Sequence, residues 1–302
     1  MNQLAFDPFS TDQVKDARDY CNFQVKTYDP DRYLIAFTAP QEVRTSLLAI
    51  YAFNLEIAKI PDKVSEGVLG QIKFQWWRES IEEVYGGVAR KHAVLIALKD
   101  VLNRFPVEQS LLEEIISSRE FDLEGREPKN FKELLAYAEG TSGNLLKITG
   151  GILGIDKNNA ERLGTAHALL GLMKCIKLHK SRGRSYLPSV KIGELDTPKG
   201  YKVFMTVLNE VSKILANITV ERSQFLRVWK WVLDYDLEYL KQQETVIFSE
   251  PRKVVTWRRC RLFMTASPGS TTLMALSTKI TSGLFPDVRK ASVTTGCRMA
   301  NR

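Results

Sequence analysis

Residues 47–62 read Leu47-Leu48-Ala49-Ile50-Tyr51-Ala52-Phe53-Asn54-Leu55-Glu56-Ile57-Ala58-Lys59-Ile60-Pro61-Asp62. Leu47, Leu48, Tyr51, Leu55 and Ala58 fall on one face at the 3.6-residue period of an amphipathic helix. Upstream, Thr38, Pro40 and Gln41 have the pattern of an N-cap, an early proline and a capping-box glutamine. Pro61 closes the helix, because the residue before a proline avoids the α region. Working outward, the same signals predict helices over 65–85, capped by Ser65 and ended by Gly86-Gly87, and over 92–104 and 107–123. Further helices are predicted over 131–152, with Asn130 and Glu133 as a second capping box, then over 159–180, 200–220 and 223–242. A last one is predicted over 251–264, with Ser249 as its cap. Alternating strand patterns are nearly absent. The expected fold class is all-α, one large helical domain over residues 1–266. Residues 267–302 turn rich in Ser, Thr and Gly and are expected to form a poorly ordered tail, with a short helix over 271–283 as the alternative.

The 302 residues suffice to bury a large core without disulfides or metals as staples. Four cysteines with no CxxC pair argue against a zinc ribbon or a disulfide scaffold and suit a reducing compartment. Three histidines exclude a His-rich metal site. The net charge of +8 is unevenly spread. The first 160 residues hold 19 basic and 24 acidic side chains, and the rest hold 24 and 11. A basic C-terminal half suits an anionic lipid surface, a diphosphate, nucleic acid or an acidic protein partner, or is simply a solvated face. No apolar run approaches the ~18 residues of a membrane span. Met1 to Cys21 carries Asp7, Asp12, Asp16 and Asp19, unlike a transit peptide or secretory signal. The expected location is therefore cytoplasmic, with any membrane contact peripheral.

Dinucleotide, P-loop, zinc-protease and serine-hydrolase motifs are missing. Cys175 and His179 stand one helical turn apart, but two soft ligands do not make a zinc site. Trp76 and Trp77 are expected to be one rim and one core residue. Glu79, Glu82 and Glu83 follow them and would repel a nucleic-acid phosphate.

Several strings, in order, resemble squalene/phytoene synthases. They are Asp31-Arg32-Tyr33-Leu34, Ala49-Ile50-Tyr51-Ala52-Phe53, Leu69-Gly70 leading into Trp76-Trp77-Arg78, and Tyr85-Gly86-Gly87. Arg119 with Asp122, Tyr137-Ala138-Glu139-Gly140-Thr141 and Gly183-Arg184-Ser185-Tyr186-Leu187-Pro188 complete the series, which spans about residues 30 to 264. The resemblance implies an isoprenoid-synthase helical fold around a central cavity. It also implies a family chemistry in which two DxxxD motifs hold Mg²⁺ against a departing diphosphate.

At the motif positions this chain departs from that pattern. The first DxxxD falls on Ala58 and Asp62, with Lys59 at a neighbouring position that is usually also Asp, and the second falls on Cys175 and His179, preceded by Lys174. Glu56 either substitutes for a lost carboxylate or pairs with a lysine. Bland roles are expected for Arg119 and Asp122 as a surface pair, for Asp62 as a turn residue, and for Tyr186 as a loop-packing residue. The ligand-binding candidates are Glu56, Lys59, Asp62, Arg119, Asp122, Lys174, Arg184 and Tyr186. No cofactor is expected, Mg²⁺ entering only if the chain is an active prenyltransferase.

The runs Tyr51–Ala58, Asp62–Glu66, Asn130–Leu134 and Ile152–Ile155 are similar to a catalytically degenerate subgroup, the complex I assembly factors and their bacterial relatives. That similarity implies a non-catalytic protein supporting assembly of NADH:quinone oxidoreductase at the inner membrane, bacterial, or mitochondrial if trimmed. Its partners would be complex I subunits, other assembly proteins or anionic lipid. Two alternatives stand beside it: an active head-to-head prenyltransferase, and a prenyl-lipid or quinone binding module using Lys59, Lys174 and Arg184 beside the cavity.

Overall fold

The computed structural model of the chain describes residues 9–220 and 223–243. Twelve α-helices occur among these residues, and no strand: α1 (Thr11–Tyr28), α2 (Pro30–Ala36), α3 (Gln41–Lys59), α4 (Gly67–Tyr85), α5 (Ala93–Arg104), α6 (Gln109–Glu124), α7 (Phe131–Ala138), α8 (Asn144–Ile152), α9 (Lys157–Lys174), α10 (Ile176–Ser181), α11 (Pro198–Ala216) and α12 (Gln224–Lys241). None is long and apolar enough to cross a membrane. The predicted helix over 251–264 and the tail at 267–302 lie outside the described residues.

α3 is the central element. From Ser46 to Ile60 every side chain except Glu56 is buried, so the helix is enclosed on all sides rather than packed by one stripe. It lies against α1 and α5 on one side and α8 and α6 on the other. α1 and α2 are additions to the predicted set. The sequence carried their signals: Ser10 and Gln13 form a capping box, Ala17, Cys21 and Val25 make a narrow inward stripe, and Asp29 caps the Pro30 helix.

Three predicted helix starts differ from the structure in detail. Thr38 does not cap α3; its hydroxyl donates back to the Ile35 carbonyl at 2.7 Å, and Pro40 occupies the cap without a side-chain bond. Glu66 rather than Ser65 stands at the cap of α4. Asn130 does cap α7 by accepting from the Glu133 N–H, but the Glu133 carboxylate turns to the Lys129 N–H and Arg126 instead of closing the box.

Two predicted long helices are interrupted. The 131–152 helix contains a wide π turn at Glu139–Gly143. Here α9 approaches so closely that a Cβ on Gly164 would stand 2.1 Å from the Ser142 carbonyl oxygen, so only glycine fits. Such turns break the side-chain register of a helix and recur at functional sites. The 159–180 helix breaks at Cys175, whose φ of −101° and ψ of 11° leave the helical region and separate α9 from α10. Trp77 is buried and Trp76 half-buried, their rings edge-on at 5.2 Å, as expected for a core and a rim residue.

Candidate functional site

The end of α3 meets the segment after α10. Asp62, just past Pro61, receives the Arg182 guanidinium on one oxygen at 2.9 Å and the Arg184 guanidinium on the other at 3.1 Å. Arg184 also donates to the Pro61 carbonyl at 3.3 Å. Gly183 lies between the two arginines at φ +73°, where a side chain is disfavoured. Asp62 is thus an ion-paired anchor rather than the simple turn residue expected.

Behind this pair sits a second carboxylate. Asp122 on α6 is buried, and its two oxygens accept from the Tyr186 hydroxyl at 2.6 Å, the Tyr137 hydroxyl at 3.0 Å and Arg119 at 3.3 Å. Arg119 also reaches the Tyr137 hydroxyl at 2.7 Å. The expected surface pair of Arg119 and Asp122 is therefore corrected. α7 and the segment after α10 bring Tyr137 and Tyr186 over the pair, leaving Asp122 buried and Arg119 partly buried. Desolvation first, and Asp122 next, push the Tyr186 hydroxyl well above its ordinary range, so it stays a donor. Tyr186 does more than pack a loop.

His179 links the two carboxylate centres. Its half-buried ring packs edge-on to Tyr186 at 4.6 Å, and its backbone carbonyl accepts from the Arg184 N–H at 2.9 Å. Desolvation, then Arg184, Arg182 and Arg119, push the imidazole down to about 3, and Nδ1 has no hydrogen-bond partner among the described residues. The folded protein therefore keeps His179 neutral at pH values where the unfolded chain binds a proton. Stability from this group is complete above the unfolded value near 6.5 and is lost as pH falls below it. We expect a loss of about 1.4 kcal/mol by pH 5.5 from His179 alone. His179→Phe, which keeps the ring contact, should reduce the acid slope of urea-unfolding free energy by about one proton. Equal slopes in the two proteins would refute this.

The remaining candidates do not converge on Asp62. Lys59 points to α1, donating to Gln24 at 3.0 Å, with its ammonium 4.1 Å from the Tyr28 ring centroid and 3.6 Å from Glu56. Burial lowers the Lys59 pKa. Glu56 accordingly pairs with a lysine and does not replace a lost aspartate. Lys174 lies on α9 and forms a buried ion pair with Asp236 of α12 at 2.6 Å. Lys59, Lys174 and Arg184, expected beside the cavity, thus each have a different partner: Gln24 and Glu56, Asp236, and Asp62. Ala58 and Cys175 are both buried and contribute no carboxylate.

Sequence reasoning did not single out Arg182, Tyr137, Asp236, Arg32, Ser142 or His167 as site residues. Arg32 donates to the Ser142 hydroxyl at 3.0 Å and lies 3.2 Å from His167 Nδ1; Ser142 and His167 are 3.4 Å apart. Desolvation, then Arg32, hold His167 well below its ordinary value, so the imidazole stays neutral beside Ser142 and Arg32. The Arg-Gly-Arg spacing at 182–184 was a usable signal for a carboxylate clamp. No signal pointed to Asp236, whose partner is 62 residues away.

The donor set does not fit Mg²⁺. That ion needs free carboxylate or phosphate oxygens in octahedral array. Asp62 already accepts from two guanidiniums, Asp122 from one guanidinium and two phenols, and Asp236 from an ammonium. No group of three or more His, Cys, Asp or Glu among the described residues is arranged to hold a metal ion.

A family model described as squalene/phytoene synthase matches residues 25–195, over half of the chain. The Homo sapiens protein "NADH dehydrogenase (ubiquinone) complex I, assembly factor 6" is 32% identical over 173 residues, which are 56% of this chain and 52% of that protein. The chloroplastic phytoene synthase of Narcissus pseudonarcissus is 26% identical over 192 residues, 60% of this chain and 46% of that protein. The chain thus spans about half the length of these curated relatives. Among solved structures, a dehydrosqualene synthase in complex with ligand matches with a TM-score of 0.69 at 16% identity, over 90% of this chain and 99% of the other. Squalene synthase HpnC from Alicyclobacillus acidocaldarius matches with a TM-score of 0.64 at 13% identity, over 78% of this chain and 97% of the other. At these identities the structural likeness establishes the fold.

Proposed function

We propose, for a chain that belongs to the squalene/phytoene synthase family, that it is a non-catalytic member supporting assembly of respiratory complex I. The observation that carries this reading is the state of the retained carboxylate. Asp62 is bonded to Arg182 and Arg184, while Ala58, Cys175 and His179 occupy the other motif positions. Ionising a prenyl diphosphate needs cations held against the leaving group, and here the protein's own cations are held by its own anions. The similarity to complex I assembly factor 6 in Homo sapiens and Bos taurus supports the same reading. On this proposal the protein works peripherally at the inner membrane, against complex I subunits, other assembly proteins or an anionic lipid surface.

The competing reading is an active head-to-head prenyltransferase, favoured by the similarity to phytoene synthases. Two measurements separate them. Deleting the gene should lower assembled complex I and its activity, and complementation should restore both. The purified protein with farnesyl or geranylgeranyl diphosphate and Mg²⁺ should release no diphosphate above a boiled control. Normal complex I in the deletion strain would overturn the assembly role, and diphosphate release would overturn the non-catalytic one.

A further inference from the structure

We propose that Asp62, Arg182 and Arg184 form an ionic clasp that holds this end of the bundle closed and makes segments 60–66 and 182–188 open as one unit. The inference concerns the chain's own motions and stands apart from the assembly reading.

The geometry is that of a fastener. Two guanidiniums take the two oxygens of one carboxylate, and Arg184 adds the Pro61 carbonyl, joining segments more than 100 residues apart. Side-chain exposures of 11% for Asp62, 25% for Arg182 and 22% for Arg184 place the contact partly out of water, where screening by salt is weaker than for a surface pair. Beyond buried Ile60 and Pro61, this segment has few other anchors. Lys63, Ser65 and Glu66 are exposed, as are Gly67, Val68 and Leu69 beyond them. The weakly held part is therefore 63–69, and a stretch with so little buried contact opens locally.

The second jaw is fixed from behind. The Arg184 N–H donates to the His179 carbonyl at 2.9 Å, the His179 ring lies on Tyr186, and Tyr186 donates to buried Asp122 at 2.6 Å. Ser189, at φ +57°, then ties the chain to the Pro128 carbonyl through its N–H at 2.8 Å. Releasing Asp62 therefore frees the 60–66 segment directly. It also removes an anion shared by two like-charged guanidiniums, and so loosens 182–188.

Hydrogen exchange read by mass spectrometry on the full chain tests the proposal. In Asp62→Asn, amides of 60–66 and 182–188 should exchange about fivefold faster together, while α5 and α11 keep their wild-type rates. Arg184→Lys keeps the charge but loses the fork, and should speed both segments by a smaller factor; it serves if Asp62→Asn fails to fold. Faster exchange in only one segment, in neither, or equally throughout α5 and α11 would overturn the clasp.

Discussion

Lys174→Met is expected to cost about 3–5 kcal/mol of folding stability, because it strips the ammonium from a carboxylate taken fully out of water. Asp236 is 0% exposed and Lys174 only 8%, and their 2.6 Å contact ties α9 to α12. Methionine fills the space of the lysine stem and so isolates the charge from the packing. The cost arises less from a lost attraction than from taking this ammonium away from a carboxylate held out of water. The double variant Lys174→Met/Asp236→Leu should accordingly recover most of the loss. Urea denaturation at neutral pH measures all three proteins. A single variant within about 1 kcal/mol of wild type, or a double variant no better than the single, would show that the pair is solvated or dispensable.

Asp122→Leu should be comparably damaging, at about 3–5 kcal/mol, for the converse reason. It removes one anion and leaves the buried hydroxyls of Tyr137 and Tyr186, and partly buried Arg119, without their acceptor. Each abandoned donor carries its own desolvation penalty. Asp62→Asn offers the internal comparison. Its arginines retain solvent access, so its cost should lie nearer 1 kcal/mol. The ranking of the two variants in one unfolding experiment is the test. If Asp62→Asn proves the more damaging, the Asp122 centre is not the buried polar core of this end of the bundle.

Most of the helices were legible because their apolar periods and terminal residues are local. α3 is the clearest case, with Leu47, Leu48, Tyr51, Leu55 and Ala58 in register and Pro61 at its end. The interruptions were not legible. The π turn at Glu139–Gly143 arises where another helix approaches, and Gly164 against Ser142 is a contact between two helices, not a property of either. For the candidate site, the composition of the motif positions could be read, but not their partners. Lys59 and Lys174 looked like neighbours of one anion site, and each instead pairs with a different helix.

The sequence by itself determined the helical class, the family resemblance and the loss of carboxylates at Ala58, Cys175 and His179. Those depend on residue type and on spacing along one chain. Only the tertiary structure decided that Asp62 is clasped by Arg182 and Arg184, that Asp122 is enclosed by two tyrosines and an arginine, and that Lys174 faces Asp236. Charge pairing acts through space over a few ångströms, and the pairs formed by Asp62 and by Lys174 join residues 62 to 122 positions apart in the chain.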